Sequence, residues 1–141
     1  MNNKTGKVLE EYQAPTKIKL ALTWASLMFL YIYNDYFSMY TPGTITDMST
    51  GRMGPLGQAT EIVLVGVAIV LAIPALMIFL SVVLPTFWSR CLNLLLGLAY
   101  TAVEVLTWSS PYLFYKIVVG LEIGLTLFIV WQALRWPKHT V

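Results

Sequence analysis

The sequence predicts an all-α polytopic membrane protein, an antiparallel four-helix transmembrane bundle. Three observations carry that reading. The 141-residue chain is 57% hydrophobic and only 11% charged, with a mean hydropathy of +0.70, against about 25% charged residues in a soluble domain. Its apolar residues gather into four runs, each near the roughly 20 helical residues that cross a hydrocarbon layer of about 30 Å. The runs take up nearly all of these residues, so one domain is expected, all membrane, with no room among them for a separate soluble catalytic domain.

Residues 1–19 read as a cytoplasmic polar tail holding Lys4, Lys7, Lys17, Lys19 and Pro15. Val8, Leu9 and Tyr12 can share one face of a short surface helix, though a solvated tail is the simpler reading. It is not a cleavable signal, because the apolar run after it is too long for a signal core and no small-x-small site follows. The first span is placed at 20–40. The loop 41–58 is too rich in Pro and Gly for a long helix, and Asp47–Gly51 suggests a tight turn. The second span, 59–81, contains Pro74, which removes one backbone hydrogen bond and is expected to kink or loosen the helix. A connector at 84–90 leads to the third span, 91–109, and Ser110-Pro111 leads to the fourth, 112–134. The transmembrane domain is thus 20–136, with a second cytoplasmic tail at 137–141.

Lysine and arginine set the orientation. One side holds Lys4, Lys7, Lys17, Lys19, Arg90, Arg135 and Lys138, seven residues, and the other only Arg52 and Lys116. Both termini are therefore expected in the cytoplasm. Trp24, Trp88, Trp131 and Trp136 would form an inner interfacial belt, and Tyr36, Tyr40, Trp108, Tyr112 and Tyr115 an outer one.

Against this background the acids stand out. Asp35, Glu61, Glu104 and Glu122 lie in or against the spans, one to each helix. A carboxylate in hydrocarbon must be protonated, paired or wet. At about 1.5 Å per residue, Asp35 and Glu104 lie roughly 8 Å inside the outer end of their helices and Glu122 roughly 15 Å, while Glu61 lies in a first turn. In the third span Asn93, Gly97, Tyr100, Glu104 and Thr107 recur at spacings of 4, 3, 4 and 3, a single polar stripe. Trp24, Tyr31, Asp35 and Ser38 share a face of the first span, and Glu122 and Thr126 one of the fourth. Polar stripes on membrane helices face the bundle interior. The candidate ligand- or proton-binding residues are Asp35, Glu104, Glu122, Glu61, Asn34, Tyr31, Tyr100 and Asn93.

Structural roles are open for the same residues. Glu61 suits a helix N-terminus. Asn34 and Asp35 can clasp a neighbouring helix, and Glu104 and Glu122 can share a proton and join two helices. Lys116 can neutralise an acid across the bundle. Gly120 and Gly124 form a close-packing motif. Cys91, the sole cysteine, reads as a small apolar filler at a helix start, and the sole histidine, His139, lies in the tail. With no second Cys or His, no zinc, haem or other cofactor is expected.

Several strings carry a resemblance: LTWASLMFLYIYNDYFSMYTPG, MGPLG, IPALMIFLSVVLP, RCLNLLLGLAYT and IVWQALRWP. Tyr33-Asn34-Asp35-Tyr36-Phe37 is the most specific element, followed by Met53-Gly54-Pro55. Together, over about 17–137, the chain resembles a family of small bacterial four-span inner-membrane proteins catalogued only as a domain of unknown function. The resemblance implies that location and fold and supplies no activity.

The first functional reading is a pocket in the outer half that binds or moves a proton, a cation or a small lipophilic ligand, with carboxylates for charge and tyrosine faces for cation–π attraction. Small multidrug transporters also have four helices and an acid in the first. They are shorter, and the dual-topology ones need a weak Lys/Arg bias, which seven against two is not. The second reading is a structural or accessory membrane subunit. The third is acid–base isomerisation of a lipophilic substrate, the one chemistry that this inventory without a nucleophile–histidine pair easily allows. An enzyme is the less expected outcome, with no catalytic residue assigned. The lipid bilayer is the expected partner, and nothing points to nucleic acid.

Overall fold

The computed structural model describes residues 11–137. Val8 and Leu9, which with Tyr12 can share a face of a surface helix, the charges at Lys4, Lys7 and Lys138, and His139 fall outside the described residues. The described chain is all helical. Four long helices, α1 (Thr16–Ser38), α3 (Glu61–Val83), α4 (Thr86–Thr107) and α5 (Leu113–Leu134), are joined by short links and by one loop that holds the small helix α2 (Thr44–Ser49) and a 3-10 turn at Gly54–Leu56.

The ends of the helices follow local chemistry. Thr60 caps α3, its side-chain oxygen accepting from the Val63 backbone N–H, and Glu61 places a negative charge in the first turn, where the helix dipole favours it. Leu84-Pro85 then ends α3 and starts α4, because proline suits the start of a helix and disfavours helical backbone just before it. The 84–90 connector is therefore only two residues, and α4 begins five residues before the expected 91. In the long loop, Gly43 and Gly51 adopt φ of 87° and 72°, which side-chain-bearing residues rarely do. They bracket α2, so the segment expected as a tight turn at Asp47–Gly51 is the end of a short helix.

α3, α4 and α5 are each long and apolar enough to cross a membrane. α3 is apolar all round, and only 11% of its most apolar window is buried; Ile62 and Phe79 are 85% and 62% exposed. A helix of that kind belongs in hydrocarbon rather than water. α1 carries more polar side chains and is not among the three.

The helices pack in the cyclic order α1–α3–α4–α5. The N-termini of α1 and α4 meet the C-termini of α3 and α5. Lys17 Nζ donates to the carbonyls of Val82 and Leu84, and Arg90 Nε donates to that of Ala133 at 2.9 Å. Cations at helix C-termini also oppose the dipole's negative end. This is the basic end of the molecule. Near it lies the core, formed by Leu20, Trp24, Leu27, Met77, Tyr100 and Ile129, with Trp24 and Tyr100 edge to face at 6.0 Å.

Two contacts correct the sequence reading of helix packing. Gly120 and Gly124 do not bring helices together. Nothing lies within 4 Å of a Cβ built at Gly124, and only the Trp108 ring approaches one at Gly120. The close approach is at Gly97, where an added Cβ would meet Val130 Cγ2 at 2.9 Å and Ile129 Cγ2 at 3.2 Å. Cys91, expected as a filler, is exposed on α4, opposite to the buried stripe.

Pro74 sits inside α3, fully buried, and the helix continues through it. Its missing N–H would leave the Val70 carbonyl, four residues earlier, without a partner. The Tyr100 hydroxyl of α4 donates to that carbonyl. Tyr100→Phe is therefore expected to destabilise the protein by about 1–3 kcal/mol, the cost of an unpaired buried acceptor. In a Pro74→Ala background the backbone N–H returns and the loss should largely disappear. Unfolding curves in detergent for the four variants of this cycle check it; equal losses in both backgrounds would show that the hydroxyl does not serve that carbonyl.

Candidate functional site

The half of the molecule away from the basic end contains a cavity of about 170 Å³. α1 lines it with Tyr31, Asn34 and Asp35, α3 with Val70 and Leu71, α4 with Tyr100, Val103, Glu104 and Thr107, and α5 with Tyr115 and Glu122. No lysine or arginine lines it.

Helical periodicity explains how α1 reaches it. Leu20, Trp24, Leu27, Tyr31 and Asn34 follow one another at spacings of 4, 3, 4 and 3, a stripe on one face. Leu20, Trp24, Leu27 and Asn34 are buried and Tyr31 is half-buried. On α4 the buried residues are Ser89, Asn93, Gly97, Tyr100 and Glu104, and on α5 Val119, Glu122, Thr126, Ile129 and Ala133. Each stripe brings a polar group to the cavity: Asn34, Glu104 and Glu122.

Glu104 is 3% exposed and fully engaged. Its Oε1 accepts from the Tyr31 hydroxyl at 2.7 Å and its Oε2 from Thr126 Oγ1 at 2.8 Å. Thr101 Oγ1 donates to Thr126 Oγ1 at 2.9 Å. One carboxyl thereby ties α1, α4 and α5 together. A shared proton between Glu104 and Glu122, one of the structural roles open to them, is not the arrangement found: the oxygens of Glu104 go to hydroxyl groups.

Glu122 and Asn34 differ in kind. They are 3% and 7% exposed, yet Glu122 Oε1 and Asn34 Oδ1 are buried without any hydrogen-bond partner. Buried polar atoms are nearly always paired, and here two oxygens on residues that line the same cavity are not.

The other sequence candidates fall elsewhere. Asp35 borders the cavity but is exposed, while its neighbour Asn34 is the buried residue; consecutive helical residues differ by about 100° of rotation, and the stripe from Leu20 selects position 34. Glu61 is exposed and does not line the cavity. It sits nine residues before Val70, about 14 Å along α3. Thr107 is exposed, its hydroxyl donating back to the Glu104 carbonyl at 2.9 Å. Lys116 does not line the cavity either.

Asn93 belongs to a second polar cluster close to the basic end. Trp24, expected in an interfacial belt, is fully buried, and its Nε1 donates to Asn93 Oδ1 at 2.7 Å. Asn93 Nδ2 donates to the Ser89 carbonyl at 2.8 Å and to Ser81 Oγ at 3.1 Å, and Ser89 Oγ donates to the Ser81 carbonyl at 2.9 Å. These bonds satisfy the group internally, so Asn93 is a structural residue. Sequence reasoning missed Ser81, Ser89 and Thr101. The signal for Thr126 was present in its i+4 relation to Glu122, and the indole N–H of a Trp on a stripe calls for a buried acceptor.

Among the described residues no group of three or more His, Cys, Asp or Glu is placed to hold a metal ion. The model of a family of unknown function (DUF6326) matches residues 7–141, nearly the whole chain, and the chain belongs to that family, as its motifs implied. No curated protein and no solved structure matches the chain.

The Glu104 junction yields a direct test. Tyr31→Phe removes the donor to Oε1 and Thr126→Val the donor to Oε2. Each change is expected to lower stability by about 1–3 kcal/mol and to shift a carboxyl band in the infrared spectrum that Glu104→Gln abolishes. Stability and spectrum both unchanged would mean that the hydroxyls do not hold Glu104.

Proposed function

We propose that this member of the family is a bacterial inner-membrane protein of four antiparallel spans, with both termini cytoplasmic, whose cavity binds a proton or a small monovalent cation. α1 supplies the fourth span. Its 23 residues reach about 35 Å, and much of its polarity is turned inward at Trp24, Asn34 and the half-buried Tyr31. The basic end, with Lys17, Arg90 and Arg135, suits the cytoplasmic face, which puts the cavity in the outer half.

The unpartnered oxygens of Asn34 and Glu122 carry the binding reading. Two buried acceptors beside the carboxylates of Glu104 and Asp35, with no basic side chain in the lining, make a site that attracts positive charge. Size narrows the occupant. Ligand pockets for drug-sized molecules measure about 300–1,000 Å³, and this cavity is about 170 Å³. Only a few atoms fit beside the acids, so the charged part of the occupant is small. A structural role is the second reading, and the Tyr31–Glu104–Thr126 junction favours it. It accounts for Glu104 but leaves the oxygens of Asn34 and Glu122 unexplained.

Two measurements test this proposal. In a Cys91→Ser background, single cysteines at Ser49 and Ser110 should react with impermeant reagents from the periplasmic side; labelling from the cytoplasm would invert the topology and the cavity with it. For binding, infrared difference spectra of the purified protein should show a carboxyl band, absent from Glu122→Gln, that changes with pH or on addition of ammonium chloride beyond the effect of equal ionic strength. A response of that band to pH alone would leave a proton site, and no response of it to either would remove the binding reading.

A further inference from the structure

Taking the cavity as a cation site, on which this step rests, we infer that its occupant is a small primary ammonium ion, R–NH3+, whose N–H groups bond Asn34 Oδ1 and Glu122 Oε1. The two oxygens are acceptors, so what completes them must donate hydrogen. An ammonium head carries three donors and a full charge. It can bond both oxygens at once while the nearby carboxylates offset its charge. A quaternary ammonium ion has no N–H and would leave both oxygens unpaired. A divalent metal ion needs more oxygen or nitrogen ligands, and no set of three acidic, His or Cys residues is assembled among the described residues. Tyr31, Tyr100 and Tyr115 in the wall suit a cation flanked by aromatic rings.

The surroundings also allow for the R group. A second cavity of about 460 Å³ adjoins the first and shares Thr107 and Tyr115 with it. Its lining mixes the hydroxyl residues Ser38, Thr41, Ser109 and Ser110 with apolar ones. The smaller cavity takes the head, and the larger one, on the side away from the basic end, takes a short alkyl or hydroxyalkyl tail. Thr107 and Tyr115 line both.

Thermal unfolding of the full chain in detergent at pH 7 tests this with chloride salts at equal ionic strength. Methylammonium and n-butylammonium should raise the unfolding temperature in a saturable way. Tetramethylammonium and sodium should act at least about tenfold more weakly, the effect of leaving buried acceptors unpaired. Glu122→Gln should keep a cooperative transition and lose the methylammonium effect, and Asn34→Leu should narrow the gap between methyl- and tetramethylammonium. The salt series on the parent protein decides even if a variant fails to fold. Equal stabilisation by tetramethylammonium, or stabilisation by sodium alone, would overturn the ammonium class while the cation site stands. No stabilisation by any of the four, with no response of the Glu122 carboxyl band to pH, would remove both. A methylammonium effect that survives Glu122→Gln would place the ion elsewhere and overturn the proposal.

Discussion

The bond from Trp24 Nε1 to Asn93 Oδ1 is the contact on which the arrangement depends. α1 and α4 are not neighbours in the ring of helices, so they communicate through long side chains that cross the centre. Trp24 to Asn93 is one such crossing and Tyr31 to Glu104 is the other. In an apolar surrounding a buried donor has no water to fall back on, and leaving it unpaired costs several kcal/mol. The two crossings therefore set the depth and rotation of α1 against α4. Ser81 of α3 and Thr126 of α5 join them, so every long helix is registered to the same pair of polar junctions.

Between the junctions the packing is apolar and close. Gly97 lets α4 approach α5 at Ile129 and Val130, and Tyr100 both packs on Trp24 and completes the turn of α3 opened by Pro74. Charge is separated with the same consistency. Lys17 and Arg90 bond to carbonyls at the ends of neighbouring helices, where they satisfy exposed backbone. They are not available to the acids. Asp35, Glu104 and Glu122 consequently face a cavity with no cation of the protein's own in its wall.

Much of this was legible in the sequence, and the limits are physical. Four helical runs, the α4 stripe from Asn93 to Glu104 and the convergence of Glu104 with Glu122 follow from periodicity, because a helix repeats every 3.6 residues whatever it packs against. Periodicity shows a face and not its partner. Charge drew attention to Asp35, whereas the spacing that starts at Leu20 leads to Asn34. Trp24 looks like an interfacial anchor by type and is a buried donor by position. The Gly120–Gly124 pair has the form of a packing motif, yet close approach needs a facing helix at the right depth, and that condition is met at Gly97. Which hydroxyl serves Glu104, and which oxygens remain unserved, depends on angles between helices that no single-helix pattern contains.

The order in which the chain is made gives the polar face of α1 a particular history. The acceptors for Trp24 and Tyr31 lie 69 and 73 residues further along the chain, and the carbonyls that receive Lys17 lie 65 and 67 further. When α1 leaves the ribosome, none of these partners exists. The polar face of α1 therefore stays without these partners until α4 has been synthesised. Its bonds to α4 form late, although α1 is translated before α3, α4 and α5.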